Sequence, residues 1–176
     1  MKLKALTMAI AISIVLMTAA CSQQADRSNT SYKDAVKTSL EQADLKDVTV
    51  SEDADKNTIT LGGALHSEDA KDRATDVAKA NAGSRIVVNE ISVQPVGQES
   101  QAKTVDSNLD DGIESNYKAA LTEKGLNKQG IRFDAKNGVL TLKGNVKTTA
   151  QRKQAEQLAQ NVPNVQQVLN EIDVKR

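Results

Sequence analysis

Four basic side chains, Lys143, Lys147, Arg152 and Lys153, crowd into a short stretch near the carboxy-terminal end of a 176-residue chain. Ammonium and guanidinium groups at that density can hold anionic head groups. Near an acidic membrane each basic residue contributes about 1 kcal/mol, an effect that decays over a Debye length of roughly 10 Å. The plain alternative is that each of these residues only solvates a surface. Other reactive side chains are few. Cys21 is the single cysteine, so no disulfide closes within the chain, and an oxidising compartment would leave a bare thiol unless it is modified. His66 is the single histidine and has no cysteine near it, which excludes hydrolytic triads and histidine-rich metal sites. The acidic pairs Asp53 with Asp55, Glu68 with Asp69, and Asp110 with Asp111 read as loop or helix-start charges, without the alternating oxygen ligands of a calcium loop. No catalytic residue, metal ligand or cofactor is expected.

Residues 1–20 carry Lys2 and Lys4, an apolar run from Ala5 to Met17, and small residues up to Ala20. This is the shape of an export signal, and the run is short for a membrane-spanning helix. Leu16 to Cys21 resembles a bacterial lipoprotein processing box. The resemblance implies a diacylglycerol and a further fatty acid on Cys21, which would become the first residue of the mature protein. At about 0.8 kcal/mol per buried methylene, several acyl chains anchor a protein without spanning the bilayer. An ordinary signal peptide ahead of an incidental cysteine, or an uncleaved anchor, is the alternative. Ser22 follows the cysteine, where aspartate would resemble an inner-membrane retention signal, so the expected location is the periplasmic face of the outer membrane. Residues 21–30 are polar and suit a short tether.

The mature chain divides again, because its second half repeats the first at a spacing of 81 residues. Thr60, Leu61, Gly63, Ala74, Ala78 and the run Asn89, Glu90, Ile91 return as Thr141, Leu142, Gly144, Ala155, Ala159 and Asn170, Glu171, Ile172. Two domains follow, at residues 31–94 and 105–176, joined by a linker at 95–104. Units this small bury only about 60% of their extended surface, so a deep catalytic cavity would be hard to house. Tryptophan is absent and Tyr32, Tyr117 and Phe133 are the only other aromatics, so stacking platforms for bases or sugars are scarce and nucleic acid is a poor partner. The overall charge is zero, but residues 31–94 hold 8 basic against 12 acidic residues and residues 113–176 hold 11 against 6. One scaffold with two opposite fields suggests two partners, unless the surfaces have merely drifted.

Each copy reads as helix, hairpin, helix, strand. Tyr32, Val36 and Leu40 form an apolar stripe with Ser31 and Asp34 at capping-box spacing, and Val105, Leu109, Ile113, Tyr117 and Leu121 form its counterpart, closed by Gly125. Hairpin turns fall at Asp55-Lys56-Asn57 and Lys136-Asn137-Gly138. Gly63 and Gly144 follow the second strand, where glycine implies a bulge, a positive backbone angle or a close approach. Ser67 and Thr148 cap a second helix with an alanine-rich face, ended by Gly83 in one copy and Pro163 in the other. The closing strand alternates Val87, Asn89, Ile91, Val93 and Val168, Asn170, Ile172, Val174, placing Asn89 and Asn170 on the aliphatic face. A buried amide there must find partners or cost roughly 1 to 3 kcal/mol, which favours a structural tie over chemistry. The fold class is α+β: in each unit a three-stranded mixed sheet with helices packed on one face.

The runs Thr60-Leu61-Gly62-Gly63-Ala64-Leu65 and Leu140-Thr141-Leu142-Lys143-Gly144-Asn145-Val146, with the alanine-faced helices and closing strands, resemble BON domains, a bacterial envelope module. A processing box followed by two such units is similar to double-BON outer-membrane lipoproteins. That resemblance implies a non-catalytic protein that binds anionic phospholipid through its second domain, around a helix, and supports envelope integrity under osmotic or envelope stress. The basic set Lys143, Lys147, Arg152 and Lys153 replaces Gly62, His66, Lys71 and Asp72 of the first copy and is the expected contact. Lys118, Lys124 and Lys128 belong to the first helix and its end, and Lys175 and Arg176 close the chain. A periplasmic adapter that binds an envelope protein or peptidoglycan is the alternative.

Overall fold

The computed structural model describes residues 31–175; the signal segment, Cys21 and the tether lie outside the described residues. The first repeat runs α1 (Tyr32–Gln42), β1 (Val48–Asp53), β2 (Thr58–Leu65), α2 (Glu68–Asn81), β3 (Ile86–Asn89) and β4 (Ser92–Val93). The second runs α3 (Glu99–Glu123), β5 (Gly130–Lys136), β6 (Val139–Val146), α4 (Thr149–Gln160) and β7 (Gln167–Val174). In both, a central strand pairs antiparallel with the first strand of its hairpin and parallel with the closing strand. The mixed sheet is thus the expected α+β arrangement.

Strand alternation sends one face of each sheet to the helices. Ile59, Leu61 and Leu65 of β2 meet Val36 and Leu40 of α1 and Ala74 and Ala78 of α2. Leu140, Leu142 and Val146 of β6 meet Ile113, Tyr117 and Leu121 of α3 and Ala155 and Ala159 of α4. Each fully buried aliphatic side chain of this size contributes about 1.5–3 kcal/mol, while the alanines let the helix backbone lie close to the sheet. Tyr117 donates its hydroxyl to Ala155 O at 3.2 Å and meets Phe133 edge-on at 5.0 Å between ring centres. Burial pushes its hydroxyl pKa above the ordinary tyrosine range.

Ser31 begins α1, but its side chain does not cap the helix. Its hydroxyl donates to Glu52 Oε2 at 3.1 Å, and the same oxygen accepts from Lys33 N at 3.2 Å, so a β1 carboxylate caps α1 from outside. Burial raises the Glu52 pKa, but these hydrogen bonds and the Arg85 guanidinium outweigh it and hold the carboxyl below its usual range. The closing strand of the first repeat is split: its ladder lapses opposite Gly62-Gly63, where the second repeat has Lys143-Gly144 and an unbroken β7. Consecutive glycines weaken a strand and give no side chain to pack. Left-handed Asn164, at φ 65°, rather than Pro163, matches Gly83, at φ 61°, beyond the second helix.

α3 departs furthest. It starts inside the segment read as a linker, and Val105 and Leu109 are 55% and 43% exposed instead of continuing the buried stripe. Twenty-five helical residues span about 37 Å, against about 27 Å for an eight-residue strand, so the helix outruns its own sheet. The excess docks on the first repeat, where Ser92 Oγ donates to Asp106 Oδ2 at 2.6 Å.

The seam between the repeats is reciprocal. Lys56 Nζ of the first hairpin loop lies 3.0 Å from Glu171 Oε2, and Lys136 Nζ beside the second turn lies 2.7 Å from Glu90 Oε2; the two glutamates are the same position in the two copies. The hydrogen bond to Glu171 raises the Lys56 pKa. At the centre, the Gln167 amide donates to Val87 O at 2.9 Å and accepts from Asn89 N at 3.3 Å, occupying the free edge of β3 as a neighbouring strand would. Asn137 Nδ2 adds a bond to Glu90 O at 2.7 Å. Beside these contacts Val88 and Val139, which strand parity sends to the helix-free faces, are nevertheless buried.

Candidate functional site

The shared glycines and asparagines hold the frame around the basic residues. Gly63 and Gly144 adopt φ +103° and +108°, and a Cβ would collide with Asp47 O in one copy and Gly130 O in the other. Each therefore admits the opposing main chain against the central strand. Asn89 Oδ1 accepts from Ile91 N at 3.0 Å while Nδ2 donates to Thr75 Oγ1 at 2.6 Å. Asn170 repeats the pattern, accepting from Ile172 N at 3.1 Å and donating to Glu156 Oε2 at 3.0 Å. Both amides pin the closing strand to the second helix.

All four predicted basic residues are exposed, but they do not form one patch. Lys143 alternates with the buried Leu142, so it stands on the helix-free face of the second sheet, directly opposite Arg132 of β5. Arg152 and Lys153 lie on α4, against the other face. Arg152 is also tied into the fold, its guanidinium donating to Asn170 O at 3.3 Å. Lys147 sits between the two, in the connection from β6 to the Thr148 cap. There Thr148 accepts from Gln151 N at 3.1 Å and the Gln151 side chain accepts from Thr148 N at 3.2 Å, completing a capping box.

Pairing brings other cations beside Lys147. Val146 and Val174 are partners in the parallel ladder, and Lys175 N donates to Val146 O at 3.0 Å, so Lys147 and Lys175 leave the sheet side by side. Lys128 precedes Gly130, whose partner is Asn145, and so lies at the same end. In the sequence Lys128 and Lys175 belong to separate elements, and Arg132 carries no local signal. Only the strand register, hidden from helix and strand periodicity, collects them.

The same backbone positions behave differently in the first repeat. His66 and Gln94 replace Lys147 and Lys175, and the His66 Nδ1–H donates to Gln94 O at 2.9 Å. The α2 helix opens with Glu68 and Asp69, whereas α4 has no acid in its first turn. The positive end of a helix dipole is therefore offset in one copy and left to add to the lysines in the other.

A cavity of about 360 Å³ lies at the seam, lined by Lys71, Glu68, Asp106, Asp110, Leu109 and Val165 among others. Lys71 is buried and donates to Gln166 Oε1 at 3.4 Å. Asp110 binds the main-chain N–H groups of Asn137 and Gly138, at 2.8 and 3.1 Å, and so clamps the β5–β6 turn. With one cation set against three carboxylates, this lining opposes an anionic head group. Among the described residues no three histidine, cysteine or acidic side chains come together to hold a metal ion, and no helix is long and apolar enough to cross a membrane.

Two solved structures of CdsD, a structural protein of the type III secretion system of Chlamydia trachomatis, are similar at a TM-score of 0.32 each. For its C-terminal domain the identity is 15%, over 81% of this chain and 67% of that one; for the second structure it is 13%, over 82% and 61%. Comparison with curated protein sequences gives no match. The BON domain profile matches twice, over residues 28–95 and 109–176, the two halves that fold alike. The chain belongs to the BON-domain family and carries two copies of the domain in tandem.

Proposed function

We propose that this is a non-catalytic lipoprotein, anchored through Cys21 at the periplasmic face of the outer membrane, whose second domain binds anionic phospholipid and supports envelope integrity under osmotic or envelope stress. BON-domain proteins are associated with the envelope and periplasm and are generally non-catalytic, which agrees with this reading. The observation that carries it is the contrast between two copies of one scaffold. Where α2 begins with two carboxylates, α4 begins beside Lys147 with none in its first turn, and Arg152 and Lys153 follow. Duplication holds the backbone constant, so the change of sign points to what the second copy meets.

The test is co-sedimentation of the Cys21→Ser protein, which cannot be acylated, with phosphatidylglycerol or phosphatidylcholine vesicles. Binding is expected to phosphatidylglycerol alone and to weaken with salt, as exposed charges are screened. Reversal of Lys143, Lys147, Arg152 and Lys153 to glutamate is expected to reduce it more than about tenfold, given about 1 kcal/mol per basic residue. Equal binding by the reversed protein would sink the reading. Capture of one envelope protein without vesicle binding would favour an adapter instead.

A further inference from the structure

The two sheets end differently, and the second ends in cations. We infer that the bilayer contact is this strand end, Lys128, Lys147 and Lys175 with the pair Arg132 and Lys143 behind them, so that the strands point toward the head groups. The inference rests on the phospholipid reading and deepens it by naming the surface.

Adjacent strands lie about 4.8 Å apart, so Lys147 and Lys175, leaving neighbouring parallel strands, hold their ammonium stems close together. Arg132 and Lys143 are direct cross-strand partners, an arrangement of like charges that destabilises a sheet unless something relieves it. The next residue across is Glu171, but its carboxylate is engaged by Lys56 at 3.0 Å. None of the five cations forms an ion pair with a carboxylate among the described residues. All five are exposed, and the N-terminus of α4, with no acid in its first turn, points the same sign of field from the same end. Val174, 38% exposed beside Lys175, adds an apolar side chain at the same rim.

The other faces fit less well. On α4, Arg152 is held by Asn170 O. The exposed Val105 and Leu109 of α3 are interleaved with Asp106, Asp110 and Asp111, carboxylates that an acidic bilayer repels. Several ammonium groups spread over three strand ends match an extended plane of phosphodiesters better than a single small anion.

The experiment uses the whole Cys21→Ser chain. In one variant Lys128, Lys147 and Lys175 become glutamate; in a charge-matched control Lys79, Lys103 and Lys118, all exposed and outside the proposed contact, do. The strand-end variant is expected to lose about tenfold or more in affinity for phosphatidylglycerol vesicles, and the control less than about threefold. If the strand-end set does not fold, a version with glutamine at the same three positions replaces it and is expected to lose less, but still more than the control. An unchanged strand-end variant, or a control that weakens equally, overturns the surface while leaving the lipid reading intact. A parent protein that ignores phosphatidylglycerol vesicles overturns the lipid reading itself.

Discussion

Asn89 and Asn170 each bind a main-chain N–H two residues on and a side chain on the second helix, so one amide joins strand and helix at the same place in both copies. Their strand parity was legible because the alternation with valine and isoleucine is strict. The identity of the helix partner was not, since Thr75 in one copy becomes Glu156 in the other. Removing the amide leaves the Ile172 N–H and the Glu156 carboxylate without their partner, at about 1–3 kcal/mol. Asn170→Ala is therefore expected to lower unfolding stability in urea by that amount while vesicle affinity stays within about twofold. A variant with full stability would show that the amide is not the tie. Glu52 teaches the opposite lesson. A carboxylate 21 residues from Ser31 caps α1, and no local spacing rule would have chosen it over Asp34.

At the scale of elements, the glycines at the exit of the central strands set how closely the hairpin can fold on itself. A side chain at Gly144 would strike the Gly130 carbonyl and sit at φ +108°, a region L residues rarely adopt. Gly144→Ala is expected to cost more than about 2 kcal/mol, read as a fall in the denaturation midpoint. Gly112, open on all sides within α3, provides the comparison: alanine there is expected to be neutral or to stabilise by about 1 kcal/mol. Comparable losses at the two sites would remove the steric account. The early start and greater length of α3 were legible in the stripe from Val105, but apolar spacing predicts a helix face and not what covers it. Val105 and Leu109 carry the same spacing as Ile113 and Tyr117, yet the sheet beneath them runs out.

For the whole molecule, the seam makes two small domains into one body. Lys56 with Glu171 and Lys136 with Glu90 follow a pseudo-two-fold relation, as in an isologous dimer whose halves have been joined. Exposed ion pairs contribute only about 0–1 kcal/mol each, so the Gln167 amide on the β3 edge carries more of the specificity. Gln167→Ala is expected to lower stability by about 1–2 kcal/mol and to raise amide hydrogen exchange at Asn89, whose N–H loses its acceptor. Unchanged exchange at Asn89 would mean that the edge is protected by something else.

The duplication, the α+β order of elements, the glycine and asparagine positions and the opposite charges of the two halves are all legible in the chain's one-dimensional pattern. All of these rest on local periodicity or on comparing one copy with the other. Tertiary structure alone decided which cations share a surface, what caps α1 and how the repeats meet. Strand register and domain docking bring together residues far apart in the chain, and a one-dimensional pattern holds no record of that distance.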